Sequence, residues 1–266
     1  MRQVVSWLVL CLLSSSAWGV EPHYHDTIRL TNGEWPPYLS YDLQYYGFAS
    51  RIVKEAFALE GIKVEYGFFP WKRAYLLAQQ GKWDGSVVWH STAERKKDFL
   101  FSDGVIKDYQ VFFHLKSYAF DWNSLEDLTG ILIGGTSGYV YNKEFDQAVR
   151  SGKLKIVYEN SDEINLRKIL WGRIKIFLAD REVGFYLLNK HFTPAEIDLF
   201  THHPKPLKIE TLHLILSKKI PSNPSRLISF NKGLHRLKVS GKLDQFLNEW
   251  RQKKVSAASS DGMRPK

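Results

Sequence analysis

Asp84-Gly-Ser-Val-Val-Trp-His-Ser-Thr-Ala-Glu-Arg95-Lys-Lys-Asp-Phe-Leu-Phe-Ser-Asp103 is the stretch on which the fold turns. Val87-Val88-Trp89 is a short apolar run and reads as a buried strand. The chain then turns through His90-Ser91-Thr92 into a charged segment, Ala93 to Lys97. Ser91 or Thr92 can cap that segment, because a hydroxyl at a helix start accepts a hydrogen bond from an orphan backbone N–H. Arg95 then stands just beyond the carboxyl end of a strand, where open α/β sheets place their ligands.

Upstream, Thr27–Thr31 alternates as a strand, and the two prolines of Asn32-Gly-Glu-Trp-Pro-Pro-Tyr38 cannot continue it. That loop presents Trp35 and Tyr38. Phe48–Glu60 carries a helical apolar face closed by Gly61, and Lys63–Phe68 is a second strand. Pro70–Ala78 is a helix with proline near its start, where a missing N–H costs little. Strand–helix–strand–helix–strand predicts parallel pairing.

Downstream, Tyr109–Leu115 reads as a strand leaving a first lobe, Ser124–Leu128 as a short helix and Gly130–Gly134 as a buried strand. Gly135-Thr-Ser-Gly138 is expected to open a helix running to about Val149; glycines and hydroxyls at a helix start can bind a polar group. The sequence equally allows a plain strand-to-helix turn, and it is no Walker motif. Lys155–Tyr158 is a strand, Asp162–Gly172 a helix capped by Ser161, and Arg173–Asp180 a strand ending in a carboxylate before a helix over Arg181–Leu188. Lys208–Leu216 returns to the first lobe, and Phe230–Arg251 is a closing helix pair broken at Gly241.

The 266 residues, 44% hydrophobic and 14% aromatic, suffice for either one large or two small domains. Met1-Arg2, the apolar run Val4–Leu13 and the small residues Ala17 and Gly19 have the order of a cleavable signal peptide. The one cysteine, Cys11, lies inside that leader, so disulfides, thiolate metal sites and cysteine nucleophiles are excluded from the mature chain. The net charge of +9 is spread in pairs such as Lys96-Lys97 and Lys218-Lys219. A nucleic-acid protein would gather it on one face, so no nucleic-acid partner is expected; the charge reads either as a solvated surface or as a field that attracts anionic solutes. No His-x-x-x-His cluster occurs, and His202-His203 are adjacent, so no metal site and no cofactor are expected.

The order "Asp-Gly, apolar strand, Thr92-x-Glu-Arg95, Phe99-x-Phe-Ser102" resembles the polar amino-acid class of periplasmic solute-binding proteins, family 3. The resemblance extends over residues 27 to about 252. It implies an α/β, two-lobed, type II periplasmic binding protein (Venus-flytrap) fold, each lobe a mainly parallel sheet with flanking helices. The expected organisation is a signal peptide at 1–19, the first lobe at 20–113 and 211–255, the second lobe at 114–210, and a disordered tail at 256–266.

By the same resemblance, Arg95 holds a ligand carboxylate and Asp180 its ammonium. Ser137 assists the carboxylate, and Trp35 and Trp71 flank the ligand side chain. Without the resemblance, Asp180 is a helix N-cap, the tryptophans are core and Arg95 is a surface ion-pair partner of Glu94 or Asp98. Arg73 can face the cleft or solvent. His90 departs from the family, which commonly has a hydroxyl there, and this puts an ordinary α-amino-acid ligand in question.

The leading expectation is a periplasmic, monomeric, non-enzymatic protein that captures an amino acid or related carboxylate and delivers it to an ABC permease or membrane sensor. The alternatives are an enzyme on the same scaffold, resembling cyclohexadienyl dehydratases, or a stand-alone ligand sensor. The enzyme would need a carboxylate general acid, for which Glu34 and Glu182 are the candidates.

Overall fold

The computed structural model describes residues 24–139, 141–246 and 249. The leader, the tail from Ser256 and the end of the closing helix pair lie outside these residues.

The first half runs β1 (Asp26–Asn32), α1 (Phe48–Ala58), β2 (Ile62–Phe68), α2 (Trp71–Gln79), β3 (Gly85–His90) and the short α3 (Arg95–Asp98), then a long strand β4 (Phe99–Leu115). β1 pairs in parallel with both β2 and β3, as the alternation of strands and helices requires. The second half runs β5 (Leu132–Thr136), α4 (Lys143–Arg150), β6 (Lys155–Glu159), α5 (Asp162–Leu170), β7 (Ile176–Asp180), α6 (Arg181–His191), α7 (Pro194–Leu199) and β8 (Phe200–His202). The chain returns along β9 (Lys208–Ser217) and closes with α8 (Asn223–Val239). Among the described residues the strand order is β2-β1-β3-β9-β4-β7-β5-β6, with β8 on β4.

Two lobes share this sheet, as in type II periplasmic binding proteins. The first lobe buries Ile28, Leu30, Ile52, Phe57 and Val87 against Phe230 and Leu234 of α8. The second covers both faces of β7. Phe177 and Ala179 pack toward α5 and α6, while Ile176 and Leu178 pack on the other side with Phe145 of α4. All five residues of β7 are buried, the mark of a strand covered on both faces.

β4 and β9 form an antiparallel ribbon between the lobes. They pair from Phe99↔Ser217 to Gln110↔Lys208, and β4 takes β7 as a second partner from Gln110 onward.

Most expected elements are present; the strand expected at Tyr109–Leu115 already begins at Phe99, and two further elements are displaced. No helix opens at Gly135–Gly138: Gly135 and Thr136 still belong to β5, and α4 starts at Lys143 because the Asn142 side chain accepts from Phe145 N at 2.7 Å. The last helix starts at Asn223, ahead of the expected Phe230, with Pro224 in its first turn. It does break at Gly241, whose φ of +72° suits glycine, and 242–246 are helical again.

Candidate functional site

The elements that approach the ribbon enclose a cleft of about 520 Å³. Trp35, His90, Thr92 and Arg95 line it from the first lobe, and Gly138, Tyr139, Tyr141, Ala179 and Asp180 from the second. Asp108, Gln110, Lys208 and Glu210 of the ribbon form its floor.

Arg95 reaches the cleft because the chain turns sharply after β3. Thr92 Oγ1 accepts from Arg95 N at 3.2 Å, so the hydroxyl expected to cap the segment does so. The guanidinium lies over the Trp89 ring, 4.9 Å from its centroid, and Nη1 donates to the His90 carbonyl at 2.9 Å. That is its single side-chain hydrogen bond among the described residues. The fork is therefore held in place at one side, with donors left for an anion.

Asp180 ends β7 and faces Arg95's lobe across the cleft. It is an N-cap, accepting from Val183 N at 2.8 Å, and it also accepts from the Tyr38 hydroxyl of the first lobe at 3.1 Å. Burial, and then the neighbouring Asp108 carboxylate, push its pKa well above the usual range. Asp108 is raised mainly by burial as well. Two adjacent buried carboxyls cannot both ionise cheaply. Of the two, Asp180 is pushed up further and is the carboxyl that more readily holds a proton.

His90 closes one side of the floor. Its Nδ1 stands 2.5 Å from Glu210 Oε2, yet off the line of a directed hydrogen bond, so this buried nitrogen has contact but no hydrogen-bond partner. Burial lowers the His90 pKa and outweighs the pull of Glu210 in the other direction. A bend in β3 aims the ring. Val88 has φ +50°, which strains a β-branched residue, and the β3–β9 register shifts between Ser86 and Trp89.

Trp35, His90, Arg95 and Asp180 thus meet in one cleft. Trp71 is not among its lining residues. It packs over Gly33 and edge-on to Trp89, with ring centroids 5.4 Å apart. Arg73, two residues along α2 and so on a different side, is exposed and lies over Phe69. Ser137 is exposed in the turn before Gly138, and its N–H is spent on Glu159 O. Neither carboxylate singled out for acid catalysis lines the cleft: Glu34 accepts from Tyr41 N, and Glu182 pairs with Arg181.

Sequence reasoning missed Asp108, Gln110, Tyr139, Tyr141, Lys208 and Glu210. Lys208 and Glu210 share a face of the predicted strand Lys208–Leu216 at period two, whereas Asp108 falls just ahead of the strand predicted from Tyr109.

The sequence profile of the bacterial extracellular solute-binding proteins, family 3, matches residues 28–253. The fold and cleft are those of a two-lobed binding protein, and the chain belongs to this family. No curated protein matches it. Among solved structures, the second substrate-binding domain of a putative amino acid ABC transporter from Streptococcus pneumoniae superposes with a TM-score of 0.68 at 20% identity, covering 84% of this chain and 98% of that one. Substrate-binding domain 2 of Lactococcus lactis GlnP gives 0.67 at 19%, covering 84% and 94%. An ancestral cationic amino acid solute-binding protein gives 0.64 at 26%, covering 84% and 95%.

Proposed function

We propose that this protein captures a small polar, amino-acid-like solute between its lobes in the periplasm and presents it to an ABC transporter. The observation that carries the reading is the cleft itself. A one-sidedly tethered Arg95 on the first lobe faces Asp180 on the second, with Trp35 and Tyr139 offering apolar walls. An anionic group on the solute pairs with the fork of Arg95 through charge-assisted bonds. A polar or cationic group meets Asp180, which gives up its proton when a positive partner arrives. The neighbouring transporter domain and the cationic amino acid-binding protein support this class of solute.

In this reading the first lobe comprises 20–113 and 211–255, the second 114–210, and closure bends the β4–β9 ribbon. Residues 1–19 are a signal peptide, and the mature chain works as a monomer without enzymatic activity. Intact mass of the exported protein, starting near Val20, checks the leader; retention of residues 1–19 contradicts it.

The deciding experiment is a thermal-shift screen of amino acids, polyamines and small carboxylates, followed by calorimetry and small-angle scattering on any hit. A solute that binds only the folded state raises its midpoint by mass action. The radius of gyration should shrink on saturation. If prephenate or arogenate is turned over while no amino acid binds, the scaffold is an enzyme and this reading fails.

A further inference from the structure

We infer that His90, Asp108 and Glu210 form a binding site for a divalent first-row metal cation on the floor of the cleft. One donor atom from each residue lies within 4.8 Å of the other two. Donors bonded at about 2.0–2.2 Å to a single metal stand on the order of 3–4 Å apart, so modest side-chain adjustment brings the trio into range. The residues arrive from three strands, which is why no spacing in the sequence announces them.

Charge and hydrogen bonding point to a cation independently of proximity. Asp108 and Glu210 are direct register partners across β4 and β9, with side chains on one face. Like charges in that relation repel unless something positive lies between them. Glu210 has Lys208, whose Nζ is 2.6 Å from Oε1. Asp108 has no such partner. It is only 4% exposed, and its Oδ1 is buried without a hydrogen bond among the described residues. A buried carboxylate this poorly supplied needs a cation. His90 Nδ1, also buried and without a hydrogen-bond partner, is the neutral nitrogen such a cation takes.

The surroundings match what steadies metal ligands elsewhere. Glu210 keeps Oε1 on Lys208, which is itself anchored to Tyr141 O at 3.1 Å, and so presents Oε2 to His90. Arg95 grips the backbone carbonyl of His90. Three protein ligands of His and carboxylate type leave a coordination position open. That position faces the cleft, beside Arg95, where an anionic chelating solute can complete the shell. Metal binding does not depend on the identity of that solute.

The test uses chelator-treated, tag-free mature protein, titrated with Zn²⁺ against a micromolar indicator and with Co²⁺ by absorption. The expected result is one Zn²⁺ per chain, a Co²⁺ spectrum of four- or five-coordinate intensity, and a rise of several degrees in the unfolding midpoint. His90→Ala, Asp108→Asn and Glu210→Gln should each weaken Zn²⁺ binding at least tenfold, while the exposed His235→Ala leaves it unchanged. Unfolding curves show that each variant is folded; if one is not, the Co²⁺ spectrum of the parent decides alone. A weak, six-coordinate Co²⁺ spectrum overturns the inference, as does Zn²⁺ affinity that survives His90→Ala and Glu210→Gln. Stabilisation by simple amines or guanidines through Asp108 and Glu210, with none by metals, overturns it too and assigns the floor to an organic cation.

Discussion

The two faces of the β4–β9 ribbon invert the usual rule. The face turned into the cleft carries Asp108, Gln110, Lys208 and Glu210, and Asp108 is only 4% exposed there. The opposite face carries Lys107, Tyr109, Ile209 and Thr211, and Ile209 is 52% exposed. That side lines a second cavity of about 440 Å³ with Pro37, Phe48 and Val105. Folding alone would have put isoleucine inward and aspartate outward. Natural chains break such rules at functional sites, and the stability comes from elsewhere, here from the dry cores of the two lobes.

The contrast is broken most severely at Arg95, the cation set above the polar face. A hydrogen bond to a charged group contributes about 1.5–3 kcal/mol. Stranding a buried partner costs about 3–5 kcal/mol. Arg95→Ala should therefore weaken solute affinity at least tenfold, and by more than about a hundredfold if the contact is fully enclosed, at about 1.4 kcal/mol per decade. Arg95→Lys should restore part of it, since an ammonium lacks the fork. Calorimetry on folded protein measures both, and parental affinity in Arg95→Ala would remove this residue from the site.

Asp108→Asn tests whether the polar face is bought with stability. Replacing an undersupplied buried carboxylate with a neutral isostere should raise the stability of the free protein by about 1 kcal/mol, as substitutions that relax a strained site do, while impairing binding. Urea unfolding without solute reports the first effect. A fall in stability would mean that Asp108 is better satisfied than its surroundings indicate.

Asp26 is the counter-case, a carboxylate with its donors in place. Arg226 donates to it through Nε at 2.7 Å and Nη2 at 2.8 Å, and the pair lowers its pKa. Because the folded-state pKa is depressed, its contribution is present above the unfolded value near 4 and is lost as pH falls through the lower folded value. Asp26→Asn should cost about 0.2–1 kcal/mol at neutral pH, the range for partly exposed pairs, and the difference should vanish in acid. Neutral-pH and acid unfolding curves of the two proteins check this.

The smallest effect belongs to the outer face. Ile209→Thr keeps β-branching at an exposed strand position and should change stability by less than about 0.5 kcal/mol, with affinity unchanged. A tenfold loss of affinity would show that the outer face takes part in closure.

The sequence made the lobes legible because their elements depend on local periodicity and punctuation. β7 reads as apolar and ends at Asp180, and Ser161 caps α5 by accepting from Glu163 N at 3.2 Å. Trp35, His90, Arg95 and Asp180 were reachable because each sits at a strand end or in a turn. The floor was not, because the partnership of Asp108 with Glu210 exists only once two distant strands pair. Trp71 and Arg73 illustrate another limit: a helix was evident, but which of its sides meets Gly33 and which meets water is decided by tertiary packing. Gly135–Gly138 misled because glycine and hydroxyl residues suit a strand end as well as a helix start, and Asn142 was the stronger cap.

The position of β9 between β3 and β4 has a consequence for how the chain is made. A polypeptide growing from its N-terminus has β1, β2 and β3 early, yet their sheet stays open until Ser217 has been synthesised. Its lid waits longer, for α8 to bring Gly233 so close to the Ala56 carbonyl that no side chain fits between them. The second lobe needs nothing beyond β4 to β8 and Leu207 for its cores. The part translated in the middle can thus fold first on the ribosome, and the part translated first must wait for the part translated last.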